Sequence, residues 1–194
     1  AAQCKGVASL ADYYAFLDKM VTLIPTVRNL NPILMQYHYL MGLSPNGLLQ
    51  TDAAFGRWAC DFAEDWGAYL DTAASAAGIS TFLADPRYHM GDFCEAPSGW
   101  LTFNQFFARH ARPGKRPIDA PGDDHVVVSP ADSVFMGKWP IQNDSTITTK
   151  GLTWSISDLL QGSPYQERFT GGVFTHSFLD VNDYHRFHVP VAGT

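Results

Sequence analysis

The chain has 194 residues, 46% hydrophobic and 16% charged, with a formal net charge of −6. That is enough apolar material for one domain, or one domain with a sizeable attachment, and it excludes a chain disordered by composition. The acidic balance argues against nucleic acid as the main partner and leaves no polybasic patch for an anionic membrane.

The three cysteines, Cys4, Cys60 and Cys94, lie far apart and form no C-x-x-C pair. They point to reduced thiols in a cytoplasmic protein and to no cysteine-built zinc site. No signal peptide is recognisable. The most apolar stretch, "NPILMQYHYLMGL", is too short to span a bilayer and carries Gln36 and His38.

In chain order, "SLADYYAFLDKMVTLI" (residues 9–24) predicts a first helix, with Leu10, Tyr13, Tyr14, Leu17, Met20, Val21 and Ile24 on one stripe. Ser9 with Asp12 three residues on resembles a capping box, and Pro25 ends or kinks the segment. A second helix is expected over 32–43, with Pro32 in its first turn and Gly42, Pro45 and Gly47 breaking the chain after it. The third and clearest helix is expected over 51–77. Thr51 or Asp52 caps it, Phe55, Trp58, Ala59, Phe62, Trp66, Tyr69 and Leu70 form a core stripe, and Gly78 stops it. A short helix follows in "TFNQFFARHARPG", with Thr102 and Gln105 as its capping box and Phe103, Phe106 and Phe107 as its apolar face.

The second half reads as strand-rich. Val126–Val128 predicts a buried strand followed by a turn, and "STITTKGLTWSISDLLQG" (145–162) a strand, a turn and a short helix stopped at Gly162. A further strand is expected after Gly171–Gly172. Helices followed by strands give an α+β class, divided into a helical N-terminal domain over 1–84 and a β-rich unit over 85–194.

Chemistry concentrates in "FLDVNDYHRFHVPVAG", residues 178–193. Asp183 is a good N-cap, so "DYHRFH" can form one helical turn that brings His185 and His188 to the same side. One reading is a two-histidine-one-carboxylate metal site with Asp183 or another acid as third ligand. Another is acid–base catalysis, with a histidine oriented by a carboxylate such as Asp132 of "VSPADS". Taken alone, Asp132 is a turn-forming aspartate. Arg186 reads as a surface charge or salt-bridge partner. Arg109, Arg112 and Arg116 read as partners of acids, although arginines also suit a carboxylate or phosphate ligand. His38, His89, His110, His125 and His176 read as structural.

Four motifs in order change the weights: "FNQFFARHARPGKRPID" (103–119), Pro130-Ala131-Asp132, "KGLTWSISDLL" (150–160) and "DYHRFHVP" (183–190). Together they resemble the phosphatidylserine decarboxylase family, over roughly residues 100–194. The departures are Ser133 where the family has glycine and Trp154 where it usually has tyrosine. The helical first half, through "EDWGAYLDT" and the Trp100 region, is more similar to soluble members such as the fungal L-tryptophan decarboxylase than to the membrane-docked lipid enzymes.

The resemblance implies a self-cleaving proenzyme. A serine of the proenzyme becomes the pyruvoyl cofactor at the head of an α chain, and that α chain is the partner of the present segment. It also implies that His188 is the base for self-cleavage, that Asp132 orients it, and that His185 assists decarboxylation. The implied substrate is a free aromatic, tryptophan-like L-amino acid, converted to its amine. Phosphatidylserine at a membrane and a non-catalytic relative are the alternatives, and homo-oligomerisation stays open. The family's L-G-S cleavage motif does not occur in this chain. The chain is therefore expected to be an N-terminal portion of the proenzyme, or part of its β chain, and inactive alone.

Overall fold

A computed structural model describes residues 6–42, 49, 52–142, 145–149 and 152–191. Leu43, Pro45, Gly47, Thr51, Lys150 and Cys4, each given a role above, lie outside the described residues. The described architecture is α+β: helices first, then small antiparallel two-stranded sheets.

Helix α1 spans Leu10–Val21. Ser9 caps it by accepting from the Asp12 backbone N–H, and the Asp12 carboxylate reaches back to the Ala8 N–H at 3.1 Å. Helix α2, Leu30–Met41, carries Pro32 in its first turn as expected, and starts two residues earlier than the sequence suggests. Helix α3, Ala53–Leu70, is capped by Asp52, which accepts from the Phe55 N–H at 2.8 Å.

α3 stops at Leu70, eight residues before Gly78. The cause is local competition for backbone groups. The Thr72 hydroxyl donates to the Tyr69 carbonyl, and the buried Ser75 hydroxyl donates to the carbonyls of Leu70 and Thr72. Such side-chain bonds offer the chain an alternative to the helix ladder, and Ala73–Gly78 continue as a 3₁₀ helix. Gly78 has a different duty. A Cβ there would sit 1.9 Å from the Pro25 carbonyl oxygen. Gly78→Ala therefore forces the α1–α2 connection to move, and is expected to cost about 1–3 kcal/mol by overpacking. Urea unfolding of the variant beside the wild type measures this.

Two apolar clusters follow. Leu17 and Met20 of α1 pack on Phe62 of α3, which stacks on Tyr37 of α2 at 5.7 Å. The second cluster joins Leu30, Leu70, Ile79, Phe82 and Tyr88 to Phe103 and Phe106. Ile79 and Phe82 lie on a short helix α4, Ile79–Leu83. Phe103 and Phe106 lie on α5, Phe103–Phe107, which Thr102 caps through the Gln105 N–H. Leu34 and Trp66 pack against both clusters. Aromatic packing thus runs unbroken from the first helices into the "FNQFF" motif.

Strands β1 (Phe93–Cys94) and β2 (His110–Ala111) pair antiparallel. β3 (Val134–Pro140) pairs with the last strand, Val173–Phe178, with a bulge between Phe135 and Gly137. Between them β4 (Thr146–Thr149) and β5 (Leu152–Ser155) form a hairpin, followed by the short helix α6, Ile156–Leu159, which a Ser155/Asp158 capping box starts. The last strand is β6.

Val126–Val128 is not a buried strand: Val127 is 71% exposed. The segment does lie antiparallel to 188–190, through the Val128 N–H to the Pro190 carbonyl at 3.0 Å and the His188 N–H to the Pro130 carbonyl at 2.8 Å. Each such pair would normally exchange two bonds. Pro130 and Pro190 lack the N–H for the second, so the ladder is half made.

Candidate active site

That half-ladder is what brings two distant motifs together. It sets His188 opposite Pro130, two residues from Asp132. The two side chains are not hydrogen-bonded to each other. The Asp132 carboxylate is held by Arg116, whose Nε and Nη2 both reach Oδ2, at 2.7 and 2.6 Å. Oδ1 of Asp132 carries no bond among the described residues. Arg116 also pairs with Asp92 at 3.5 Å, and Lys115 joins the same carboxylate at 2.9 Å. Lys115 first and Arg116 second hold the Asp92 carboxyl below its ordinary range.

Tyr184 forms the floor. It is buried, with its ring between Phe93 at 5.8 Å and His188 at 5.5 Å. His188 is exposed, flanked by Phe187 and Val189, which are 78% and 75% exposed.

His185 has a different setting. Its ring stacks on Phe107 at 4.2 Å, and Nε2 lies 3.0 Å from the Asp180 carbonyl. A carbonyl only accepts, so Nε2 carries the proton and Nδ1 keeps its lone pair. Burial pushes the His185 pKa down, a pull the Asp180 carbonyl opposes. Below the ordinary value of 6.5 the unfolded chain therefore binds a proton that the folded chain refuses. Stability falls as pH drops through that value, and levels once folded His185 protonates. Urea midpoints at about pH 7.5 and about pH 5.5 should differ less in His185→Gln than in the wild type.

The expected helical turn at 183–188 is absent. Asp183 instead closes a turn backwards: its carboxylate accepts from the Asp180 N–H at 2.8 Å, and its own N–H bonds the Asp180 carbonyl at 2.9 Å. His185 and His188 therefore do not converge. Among the described residues no group of three or more His, Cys, Asp or Glu is placed to hold a metal ion.

Arg116, in sequence a partner of acids or a group for a carboxylate or phosphate ligand, here pairs with Asp132 and Asp92. Phe107 and Tyr184, the stacking partners of the two histidines, look like ordinary core aromatics. His110 accepts from Arg186 Nη2 at 2.8 Å, a contact across 76 positions that leaves no local signal.

Two open clefts, of about 450 and 280 Å³, adjoin Ile141 and Ile156 at the far end of the β3–β6 ribbon. The larger is lined by Trp139, Ile147, Phe174 and His176. The seven residues of β3, ~23 Å of strand, separate that end from the Asp132 turn. No described helix is long and apolar enough to cross a membrane.

Comparison with known proteins places these residues in context. Residues 103–194 match the phosphatidylserine decarboxylase family. The chain is 36% identical over 127 residues to phosphatidylserine decarboxylase proenzyme 3 of Schizosaccharomyces pombe, covering 66% of this chain and 13% of that protein. It is 42% identical over 122 residues to the phosphatidylserine decarboxylase proenzyme of Bordetella petrii, covering 60% of this chain and 40% of the relative. For the Clostridium novyi proenzyme the values are 34% over 127 residues, 66% and 42%. The aligned region thus spans about two fifths of the bacterial relatives and about one eighth of the yeast protein. The matched residues include Phe107, Arg116, Asp132, Tyr184, His185 and His188, and over residues 103–194 the chain is similar to the phosphatidylserine decarboxylase family.

Proposed function

We propose that the chain is part of a pyruvoyl-dependent decarboxylase proenzyme, with a helical unit over 1–84 and the first part of the catalytic unit over 85–194. It would act on a free aromatic, tryptophan-like L-amino acid and release CO₂ to leave the amine. The observation that carries the reading is the half-ladder, which sets exposed His188 beside the Asp132 turn.

Two features fit a serine-derived group arriving from another segment. The His188 ring is open to solvent and makes no hydrogen bond among the described residues, and Oδ1 of Asp132 is unengaged. His188 takes the proton of the serine hydroxyl, and Asp132 holds the resulting imidazolium. Arg116 holds Asp132 in place. His185 moves a proton through Nδ1 during turnover. The pyruvoyl group, when present, supplies the electron sink for the pair left as CO₂ departs. The exposed Phe135, Met136, Trp139, Val173 and Phe178 of the β3–β6 ribbon suit burial by the α chain that bears this group, since large apolar side chains left exposed together on one element suit an interface.

The acidic charge, with no polybasic patch for anionic lipid, favours an amino acid over a lipid. The second reading, phosphatidylserine as substrate, is favoured by the names of the relatives. The deciding experiment supplies the proenzyme with tryptophan, phenylalanine or tyrosine, and separately with phosphatidylserine vesicles, and measures CO₂. Release from the amino acids alone is expected. Release from the vesicles alone would replace the first reading by the second.

A further inference from the structure

Arg109 is 1% exposed and makes no ion pair among the described residues. Its guanidinium lies 4.3 Å from the centroid of Phe93, 5.3 Å from Phe106 and 5.9 Å from Tyr88. Nη2 donates to two consecutive carbonyls of the histidine loop, Asn182 at 3.0 Å and Asp183 at 2.8 Å. Nε and Nη1 have no hydrogen-bond partner among the described residues, so aromatic faces and the two carbonyls carry the charge. An apolar side chain of similar volume would fill this space at lower desolvation cost. What arginine adds is a directed grip on the 182–183 backbone.

The grip is returned. Arg186, from the same loop, donates through Nε to the Ala108 carbonyl at 2.8 Å and through Nη2 to His110 Nε2. Residues 107–110 and 180–186 thus exchange arginines. His185 sits inside the exchange, its ring against Phe107 of one segment and its Nε2 on the Asp180 carbonyl of the other.

We propose that Arg109 and Arg186 are positioning residues, a reciprocal clasp that fixes the ring plane of His185 and the presentation of its Nδ1. His188 lies outside the clasp, held by its own N–H on Pro130. The clasp therefore serves turnover and not maturation, a consequence that rests on the proposed decarboxylase function.

The test has two arms. In the 194-residue chain, long-range ¹H–¹⁵N spectra of His185 should show the Nε2–H tautomer in the wild type. In Arg186→Gln the two tautomers should mix and the imidazole titration should move up towards the ordinary value, with Arg186→Lys intermediate. Arg109→Met should do the same. If it unfolds the chain, the partly exposed Arg186 carries the reading alone. A folded R186Q chain with unchanged His185 tautomer and titration overturns the clasp. In the proenzyme, R186Q should still split into two chains, while kcat falls at least about tenfold and KM stays within about twofold. Loss of splitting together with turnover overturns the division of labour. A wild-type proenzyme that releases no CO₂ overturns the functional reading, and leaves the clasp to be judged by the spectra.

Discussion

His188→Ala, introduced into the proenzyme, is expected to leave a single unsplit polypeptide where the wild type yields two. A serine hydroxyl is almost wholly protonated at neutral pH, and removing its base costs about 10²–10⁴-fold in rate. A cleavage that takes minutes would then take many hours or days. Asp132→Asn should slow the split as well, because the imidazolium formed during attack loses its counter-charge. Arg116 has a subtler part. It occupies Oδ2 of Asp132 with two bonds and leaves Oδ1 for the histidine, so Arg116→Gln should slow cleavage less than D132N does. His185→Ala is the contrasting case: its ring faces Phe107 and Asp180, so splitting should persist while CO₂ release is lost. Electrophoresis of the expressed variants, followed over a day, reads splitting in all four, and a CO₂ assay reads the loss of turnover in His185→Ala.

The largest stability effect is expected at Phe106. The ring is fully buried, with neighbours Phe82 at 5.2 Å, Phe103 at 5.8 Å, Trp100 at 5.9 Å and Tyr88 at 6.1 Å, and the Arg109 guanidinium at 5.3 Å. Phe106→Ala removes the ring from the middle of this group. Truncations of this kind cost about 3–5 kcal/mol, which for a chain of this size lowers Tm by about 6–20 °C. Phe106→Leu keeps most of the volume and should cost clearly less. The variant should also disturb His185, since Phe107 and Arg109 follow on the same short segment. Thermal melts followed by circular dichroism test the first effect, and a shift below about 2 °C for F106A would contradict the packing described.

How much of this could be read from the sequence follows the range of each interaction. The caps at Ser9, Asp52 and Thr102 were legible because a cap is a bond across three residues. The end of α3 was not, because Gly78 is a plausible stop and the actual stop depends on where the Thr72 and Ser75 hydroxyls turn. Val126–Val128 has the composition of a buried strand, but two prolines halve its ladder with 188–190 and Val127 faces solvent. Asp183 suits either a forward cap or a backward turn, and only the placement of Asp180 decides between them. The motifs named Asp132, His185 and His188 together. They could not show that the loop carrying His185 is tied to the 107–110 segment by bonds spanning 73 and 76 positions, Arg109 to Asn182 and Arg186 to His110. Arg109 and Arg186 pair with carbonyls and an imidazole, and no acid nearby in sequence would have announced that.

The central claim is that this segment belongs to a polypeptide that cuts itself and caps the new end with a pyruvoyl group. Intact-mass measurement of the purified wild-type proenzyme addresses it in one spectrum. Two chains are expected, the first containing residues 1–194 and the second lighter than its encoded sequence by one ammonia, the net change that turns a terminal serine into pyruvoyl. A single chain at the full encoded mass would contradict it.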